Sequence, residues 1–387
     1  MQESEIRFMR KKGLLKTIKR FMYTILIIIA VVVVFVFSYM QLPVFGQKPY
    51  GDRLDRIEKS PNYKNEQFHN LNPVIMTAGK RQMFSILWKK LFEKKPEGLR
   101  PKEKIPTIKS DLKTIPIDKD IVVWFGHSSY YIQIDGKRFL IDPVFSKHAS
   151  PVPIMISCFE GTNIYSVEDM PEIDYLLITH DHYDHLDYRT IKKLNPKVKQ
   201  VISPLGVGAH IEKWNYSKDK IKTMDWDESI DLGDGFIINS TTSRHFSGRS
   251  LKRNTTLWLS YVLQTPSKTI FISGDGGYDS HFAKIGKRFG KIDFAFLETG
   301  QYNEKWKYIH SMPEEVILEA KDLNAQKVLP IHWGKFALAE HHWKEPIERL
   351  MSLNKQENIN FLTPMIGEII DLNNENQSFS AWWEDVE

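Results

Sequence analysis

The stretch THDHYDH, residues 179–185, is the most informative feature of this chain, and it directly follows the apolar run YLLI, residues 175–178. It places three imidazoles and two carboxylates within seven residues. These side chains would repel or desolvate one another unless something neutralised them. A divalent metal does so, because zinc, iron and manganese accept imidazole and carboxylate ligands. The short spacing after a predicted strand lets several side chains converge at a sheet edge, where ligand sites lie in open α/β sheets. A polar loop that happens to be rich in histidine is the alternative.

Three residues of metal-binding type recur downstream, and each follows an apolar run typical of a buried strand. His245 comes after the run at 236–238, Asp275 after the run at 269–272, and His332 after the run at 327–331. Taken singly, each has an ordinary explanation, such as a core histidine or a turn-forming aspartate before glycines. Together with the dense cluster, they form a set large enough for two metal ions.

The order HxHxDH, then a single His, a strand-end Asp and a strand-end His is similar to the ligand order of the metallo-β-lactamase superfamily. Further segments resemble the branch that contains N-acyl-phosphatidylethanolamine-hydrolysing phospholipase D and its bacterial relatives. These segments are WFGHSS (124–129), LIDPVFS (140–146), RHFS (244–247), RNTTLW (253–258) and SGDGGY (273–278). The resemblance covers roughly residues 110 to 370, and residues 45–63 also resemble the leader of bacterial members.

This resemblance implies an α/β fold, the four-layer αββα metallo-β-lactamase sandwich, and a site for two divalent metal ions. The implied ligands are His180, His182 and His245 for the first ion, Asp184, His185 and His332 for the second, and Asp275 as a bridge between them. All of these ligands offer nitrogen or oxygen. Zn²⁺ is the metal that the family implies, and the ligand set is also compatible with Mn²⁺ or Fe²⁺.

Paired cations indicate hydrolysis by a metal-bridging hydroxide, because two metals about 3.5–4 Å apart lower the pKa of a shared water toward neutrality. Asp184 and Asp275 are the predicted catalytic residues, and Asp184 is expected to orient the nucleophile as well as to bind metal. The resemblance implies a phosphodiesterase of phospholipase D type acting on an N-acyl phospholipid or a related membrane lipid. A hydrolase of a lactone, β-lactam or amide is an alternative, and so is a non-catalytic metal-binding sensor.

Two further residues carry weaker predictions. Asp142 ends an apolar strand and precedes a proline, so it is either an acceptor that orients a ligand histidine or a turn former. His310 precedes a helical pattern that begins at Pro313. The resemblance places a histidine near this position, close to the metals, where it would contact substrate; a polar residue near a helix start is the alternative.

Residues 21–40 form an apolar run about long enough to span a bilayer as one helix. Seven basic and two acidic residues precede it, so the positive-inside rule places this tail in the cytoplasm and the catalytic domain outside a cell membrane crossed once. A cleaved signal peptide has a similar layout. However, residues 38–43 offer no Ala-x-Ala-like site, and the run exceeds a usual signal core.

The sequence therefore predicts a basic tail (1–20), a transmembrane anchor (21–40), an extension that packs on the domain (41–112) and the hydrolase domain (113–387). Residues 82–88 are expected to form an amphipathic helical piece within the extension. The tail's net charge of +5 equals that of the whole chain. The remainder is therefore balanced, which argues against a nucleic-acid partner. Membrane lipid is the expected partner, and the sequence does not indicate the oligomeric state.

One apolar segment remains open to two interpretations. The stretch PVPIMISCF, residues 151–159, contains the chain's single cysteine, Cys158, interpreted as a small buried hydrophobe. The segment falls in a loop just after the first predicted strand pair and is expected to form either a lipid-contacting lid or ordinary core packing.

Overall fold

The computed structural model describes residues 2–74, 96–306 and 308–387, so the piece predicted at 82–88 lies outside the described residues. The chain separates into two compact units, Met1–Phe45 and Gly46–Glu387. The first unit is one long helix, α1 (Gln2–Met40), followed by a 3₁₀ turn, Pro43–Phe45. The helix continues through the predicted basic tail because Leu, Lys, Arg, Glu and Met favour helix and no proline interrupts them. Within it, Glu5–Met40 is long and apolar enough to cross a membrane.

The second unit alternates strands with short helices. Its helices are α2 (Asp52–Glu58), α3 (Tyr188–Leu194), α4 (Val207–Lys213), α5 (His281–Phe289), α6 (Pro313–Asp322) and α7 (Glu345–Glu357). Its strands are β1 (Tyr63–Lys64), β2 (Gln67–Phe68), β3 (Ile121–Trp124), β4 (Tyr130–Ile134), β5 (Lys137–Ile141), β6 (Ile173–Leu177), β7 (Val198–Pro204), β8 (Ile221–Met224), β9 (Ser229–Gly233), β10 (Phe236–Thr241), β11 (Ser260–Gln264), β12 (Thr269–Ile272), β13 (Phe294–Glu298), β14 (Val328–Ile331) and β15 (Ile369–Asp371). Further 3₁₀ turns are Val167–Asp169, Asn195–Lys197 and Lys218–Lys220.

Two mixed sheets form the centre of this unit. The first has the order β15-β3-β4-β5-β6-β7-β8, and the second has the order β14-β13-β12-β11-β10-β9. In the first sheet, β15 to β5 pair antiparallel and β5 to β8 pair parallel. In the second, β9 to β12 pair antiparallel and β12 to β14 pair parallel.

Side-chain alternation along β4 shows how the sheets pack. Tyr130 and Ile132 belong to the core between the two sheets, whereas Tyr131 belongs to the core on the opposite face. This is the two-residue period of a strand that is buried on both faces. The Tyr130 ring stacks on Phe296 of the second sheet with ring centroids 3.8 Å apart.

Helices cover the outer face of each sheet. Ile191 of α3 and Ile211 of α4 pack with the outer side chains of the first sheet. Phe282 of α5, Val316 of α6 and Leu350 of α7 pack in the core that contains the second sheet. The layers therefore run helix, sheet, sheet, helix, which confirms the predicted αββα sandwich.

The described part of the predicted extension contributes to these cores. Ile57, Phe68 and Ile105 belong to the core cluster that contains the second sheet, and Leu112 belongs to the outer core of the first sheet. The domain boundary at residues 112 and 113 stays a prediction.

Candidate metal centre

The loops that follow several strands meet at one edge of the sandwich. The loop after β6 carries residues 178–187, and the loops after β10, β12 and β14 carry His245, Asp275 and His332. The ends of β5 and β13 supply Asp142 and Glu298 to the same edge. Because the apolar strands are buried on both faces, they hold this edge rigidly, and the polar side chains lie just beyond their ends.

The first group of potential ligands contains His180, His182, His245 and Asp275. His180 Nε2 lies 2.9 Å from His182 Nδ1, and His245 Nε2 lies 3.2 Å from the same atom. Asp275 Oδ2 lies 3.7 Å from both His180 Nε2 and His245 Nε2. Ligand atoms in a tetrahedral zinc site lie about 3.3 Å apart. The spacing of this group fits one such ion.

The second group of potential ligands contains His127, Asp184, His185 and His332, and two of these histidines lie near the other carboxylate oxygen of Asp275. Asp275 Oδ1 is 3.1 Å from His185 Nε2 and 3.1 Å from His332 Nδ1. Asp184 Oδ2 is 3.6 Å from His185 Nε2. Asp275 therefore presents one carboxylate oxygen to each group, which is the arrangement expected of a bridging ligand.

Unpaired polar atoms test whether these residues suit a metal. Within the described residues, His185 Nε2, Asp275 Oδ1 and His332 Nε2 are buried and have no hydrogen-bond partner. A buried polar atom left without a partner costs about 1–3 kcal/mol, and native proteins rarely retain several together. The donor set is nitrogen and oxygen only, so the site fits a borderline divalent ion such as zinc.

Burial sets the protonation of the imidazoles. It drives the pKa of His180, His245 and His332 well below the usual value, and neighbouring imidazoles reinforce the effect. The neutral imidazole is the form that binds metal. Burial alone would raise the pKa of Asp184, but the charge of His185 and a hydrogen bond from His127 outweigh it and hold that pKa low. The site thus combines neutral His180, His245 and His332 with ionised carboxylates. At His185 burial is outweighed by the charges of Asp275 and Asp184, which hold the pKa of that imidazole well above its usual value.

Hydrogen bonds orient the ligand-type histidines from behind. Asp142 accepts from His185 Nδ1 at 2.7 Å and from the Thr179 backbone N–H at 2.9 Å. His245 Nδ1 donates to the Ile309 carbonyl at 2.8 Å. Such contacts fix the tautomer and the ring direction of a metal ligand. Asp142 lies where its predicted orienting role requires it, and that role stays a prediction.

Asp181 lies between His180 and His182 in the sequence and holds their loop in place through hydrogen bonds. Asp181 Oδ1 accepts from the Gly248 N–H at 2.7 Å, and its Oδ2 accepts from Thr256 Oγ1 at 2.8 Å. Buried Arg249 donates to the carbonyls of Asp181 and Leu186, both at 2.7 Å. The seven-residue motif is therefore held by contacts with residues more than sixty positions away.

His310, the predicted substrate contact, lies at the open side of the centre. Its ring centroid is 5.1 Å from that of His245 and 5.3 Å from that of His332. Its side chain is 13% exposed, whereas its hydrogen-bond partner Glu298 is 1% exposed. Glu298 also accepts from the Gly276 N–H at 2.6 Å, next to Asp275. The pair connects His310 to the backbone next to Asp275.

Sequence reasoning missed two residues of this site. His127 received no role in the site from the sequence, yet its buried Nε2 lies 2.8 Å from Asp184 Oδ2. Glu298 was not singled out, although it ends an apolar strand in the same way as Asp142. That strand-end signal was available for Glu298. No sequence signal indicated His127, whose position depends on its left-handed backbone with φ of 56°.

A four-layer sandwich with such an edge defines a class, the metal-dependent hydrolases of this fold, and comparisons with known proteins place the chain within it. The profile of the beta-lactamase superfamily domain matches residues 137–333. The chain is 35% identical over 331 residues to an uncharacterized protein of Mycobacterium tuberculosis, covering 84% of this chain and 88% of that one. The chain therefore belongs to the family that this beta-lactamase superfamily domain defines.

A relative with an assigned activity narrows the resemblance. The chain is 30% identical over 269 residues to N-acyl-phosphatidylethanolamine-hydrolyzing phospholipase D 1 of Caenorhabditis elegans, covering 64% of this chain and 74% of that one. Among solved structures, Igni18, a metallo hydrolase of Ignicoccus hospitalis, aligns with a TM-score of 0.52 at 18% identity, covering 65% of this chain and 98% of that one. At that identity the structural likeness shows the fold alone. The family and the relatives identify the chain as a metal-dependent hydrolase.

Proposed function

We propose that this chain is a membrane-anchored hydrolase with two metal ions that cleaves a phosphodiester bond in an N-acyl phospholipid or a related lipid, in the manner of phospholipase D. The convergence of His180, His182, His245, Asp184, His185, His332 and Asp275 at one buried edge is the observation that carries the proposal. The identity to the Caenorhabditis elegans phospholipase supports the substrate class. The apolar helix Glu5–Met40 supports the anchor.

Two Zn²⁺ ions, when bound, would supply an activated water and neutralise negative charge on the phosphoryl oxygens. The protein's own groups set up that chemistry. Asp275 presents an oxygen to each ligand group, and Asp142 and the Ile309 carbonyl orient His185 and His245. Asp184, held by His127, lies beside His185, and we assign it the role of orienting the attacking water.

His310 is the imidazole at the open side of the centre, so we assign it the contact with the substrate phosphate. Its Nδ1 side is held by buried Glu298, which leaves the other side of the ring free to face an incoming substrate. Phosphoryl oxygens accept hydrogen bonds from such a donor, and a preorganised donor contributes most where charge develops.

Turnover measurements test the proposal. The purified full chain, reconstituted with zinc, should cleave a soluble bis-aryl phosphodiester and should release the head-group alcohol from N-acyl phosphatidylethanolamine. Turnover of lactones and β-lactams under the same conditions should be far slower. Preferential cleavage of a lactone or β-lactam would reject the phosphodiesterase assignment while leaving a hydrolase in place.

A ligand variant tests the role of the centre. His182→Ala removes a predicted metal ligand, so turnover should fall by at least a hundredfold. Its thermal unfolding should stay cooperative, because the ring of His182 is half-buried at the edge of the site and belongs to neither of the two large cores. His69→Ala, at an exposed histidine outside the site, is the matched control and should keep full turnover. Full turnover in His182→Ala would reject the assigned centre.

A further inference from the structure

A short hairpin after β5 carries an exposed apolar tip. The Cys158 N–H donates to the Lys147 carbonyl at 2.8 Å, and the Ala149 N–H donates to the Ile156 carbonyl at 3.0 Å. The side chain of Ile154 is 89% exposed and that of Met155 is 48% exposed. Ordinary core packing, one of the two interpretations of this segment, does not apply to these two residues. Cys158, expected to be buried, is half-buried at the base of the hairpin.

The hairpin is braced. The Arg100 guanidinium donates to the carbonyls of Ser157 at 2.8 Å and Cys158 at 2.7 Å. Its base packs in a small core cluster of Val144, Ala149 and Phe336. Ile156 has a φ of 48°, a left-handed conformation that a β-branched residue adopts only when its surroundings enforce it. The apolar tip is therefore presented to solvent by a rigid support.

A second loop ends in another exposed apolar side chain. The Asn254 N–H donates to the Ser247 carbonyl at 2.9 Å and closes the loop, and buried Arg249 anchors it. Leu251, near its tip, is 86% exposed. The loop begins two residues after His245, so its apolar tip also stands beside the candidate metal centre.

The two loops are attached to consecutive residues at the rim of the centre. The Ser146 N–H, at the start of the hairpin, donates to Asp187 Oδ2 at 3.0 Å. Arg249, in the second loop, donates to the Leu186 carbonyl at 2.7 Å. Leu186 and Asp187 directly follow His185. Both loops are therefore hydrogen-bonded to the segment that directly follows His185.

Basic side chains flank both tips. Lys147 and Arg100 lie at the hairpin. Arg253 lies near Leu251, and so does Lys252, whose ammonium group pairs with Glu66. The Arg253 guanidinium lies over the Phe246 ring at 5.3 Å, and Phe246 packs against His182 with ring centroids 4.5 Å apart. Apolar side chains next to cations suit a lipid surface, where the former enter the acyl region and the latter meet phosphate groups.

We propose that the Ile154–Met155 tip and the Leu251 tip insert into a phospholipid surface and turn the candidate metal centre toward it. The rim then contacts the bilayer separately from α1 and receives its substrate from that surface. This inference rests on the proposed function in taking the substrate to be a membrane lipid. Single exposed apolar residues are normal on proteins. This surface differs because it has two exposed apolar tips. Both tips are on supported loops beside one site, and each has basic residues near it.

Fluorescence in nanodiscs that hold one full chain each tests the contact directly. In a Cys158→Ser background, Ile154→Cys and Leu251→Cys are labelled with an environment-sensitive nitrobenzoxadiazole dye. Leu318→Cys, at a 43% exposed leucine of α6, is the matched control. Emission at positions 154 and 251 should shift to shorter wavelength and be quenched by lipids that carry a nitroxide near the head group. The control should show neither effect.

Emission and quenching at positions 154 and 251 equal to those of the control would overturn the proposal. A shift that appears only when several chains share one membrane would also overturn it, because it would assign the tips to a second copy of this chain. These outcomes do not depend on turnover, so a failure of the proposed hydrolysis would be recognised separately.

Kinetics provide a second test. The double variant Ile154→Ser, Leu251→Ser should lower turnover of N-acyl phosphatidylethanolamine in vesicles roughly tenfold, since two buried apolar side chains are lost from the lipid contact. Turnover of a soluble bis-aryl phosphodiester should remain within about twofold of the parent, which also shows that the variant is folded. An equal loss on both substrates, or no loss on vesicles, would contradict the docking role.

Discussion

His185 Nδ1 lies 2.7 Å from a carboxylate oxygen of Asp142, and this contact connects the end of β5 to the centre of the site. Asp142 is 1% exposed and has a φ of 40°, so its backbone is held in a left-handed conformation that places the carboxylate under the imidazole. Both oxygens of Asp142 also accept from Thr179. The orientation of one ligand-type histidine thus depends on a residue that does not itself reach the ligand groups.

The first prediction concerns this contact. Asp142→Asn keeps the shape of the side chain but removes the charge that fixes the His185 tautomer. Metal affinity should fall roughly 10- to 100-fold, because that is the usual effect of losing an orienting partner. Competition with a chromophoric chelator measures it, with exposed Asp231→Asn on β9 as the matched control. Parent-like affinity in Asp142→Asn would leave Asp142 as a turn former only.

The second prediction concerns Glu298, which holds His310 and the Gly276 N–H. Glu298→Ala removes the carboxyl group and with it both contacts, so His310 loses its fixed orientation. The value of kcat should fall roughly 10- to 100-fold, as for other misplaced catalytic groups, with little change in KM and two metal ions still bound.

Glu319→Gln is the control for that experiment. Burial raises the pKa of Glu319 well above its usual value, so its carboxyl group is protonated at neutral pH and an amide is a close substitute. Its kinetics should match those of the parent. Loss of a metal ion in Glu298→Ala would instead make Glu298 a ligand, and unchanged kcat would remove it from the site.

The third prediction concerns Lys335, whose buried ammonium group donates to the carbonyls of Phe125 and Val144. Burial lowers its pKa to about 8, and the weaker opposite effects of Cys158 and Asp187 do not restore it. The unfolded chain, with a lysine pKa near 10.5, therefore binds more protons than the folded chain between pH 8 and 10.5. Burial of the charged Lys335 therefore lowers the free energy of unfolding by its full amount below pH 8, and this loss disappears as the pH rises.

The free energy of unfolding of the parent should thus increase, relative to Lys335→Met, by up to roughly 3 kcal/mol as the pH rises from 7 to above 10. Denaturant titrations of both proteins at several pH values, in the same detergent, measure the difference. Because other titrating groups are common to both proteins, they cancel in that difference. Parallel pH profiles would show that Lys335 has an ordinary pKa.

The fourth prediction concerns α1. Its apolar part is long enough to span a bilayer, so the full chain should remain with membranes during alkaline carbonate extraction and should dissolve only in detergent. Its intact mass should correspond to a chain that still contains residues 1–40. Recovery of a shorter chain that begins after residue 40 would identify the segment as a cleaved signal peptide.

Much of the site could be predicted because its residues carry a local signal. Apolar runs that end in His or Asp gave the strands β6, β12 and β14 and the side chains beyond them. Helix α6 was expected from Pro313, which is favoured in the first turn of a helix.

Other features depend on contacts that no local pattern contains. Arg249 and Asp181 meet across sixty-eight positions, and His127 reaches Asp184 across fifty-seven. The exposure of Ile154 also follows from the bracing of its hairpin by Arg100 and Phe336, which are distant in sequence. Composition alone could not separate an exposed tip from a core segment, because both are apolar.

The metal content of the purified full chain tests the central proposal most directly. After zinc reconstitution and removal of free metal, elemental analysis should find two ions per chain. His245→Ala, which removes a ligand from the first group, and His185→Ala, which removes one from the second, should each retain about one ion. A parent chain that holds no ion or only one, or variants with unchanged metal content, would contradict the two-metal centre.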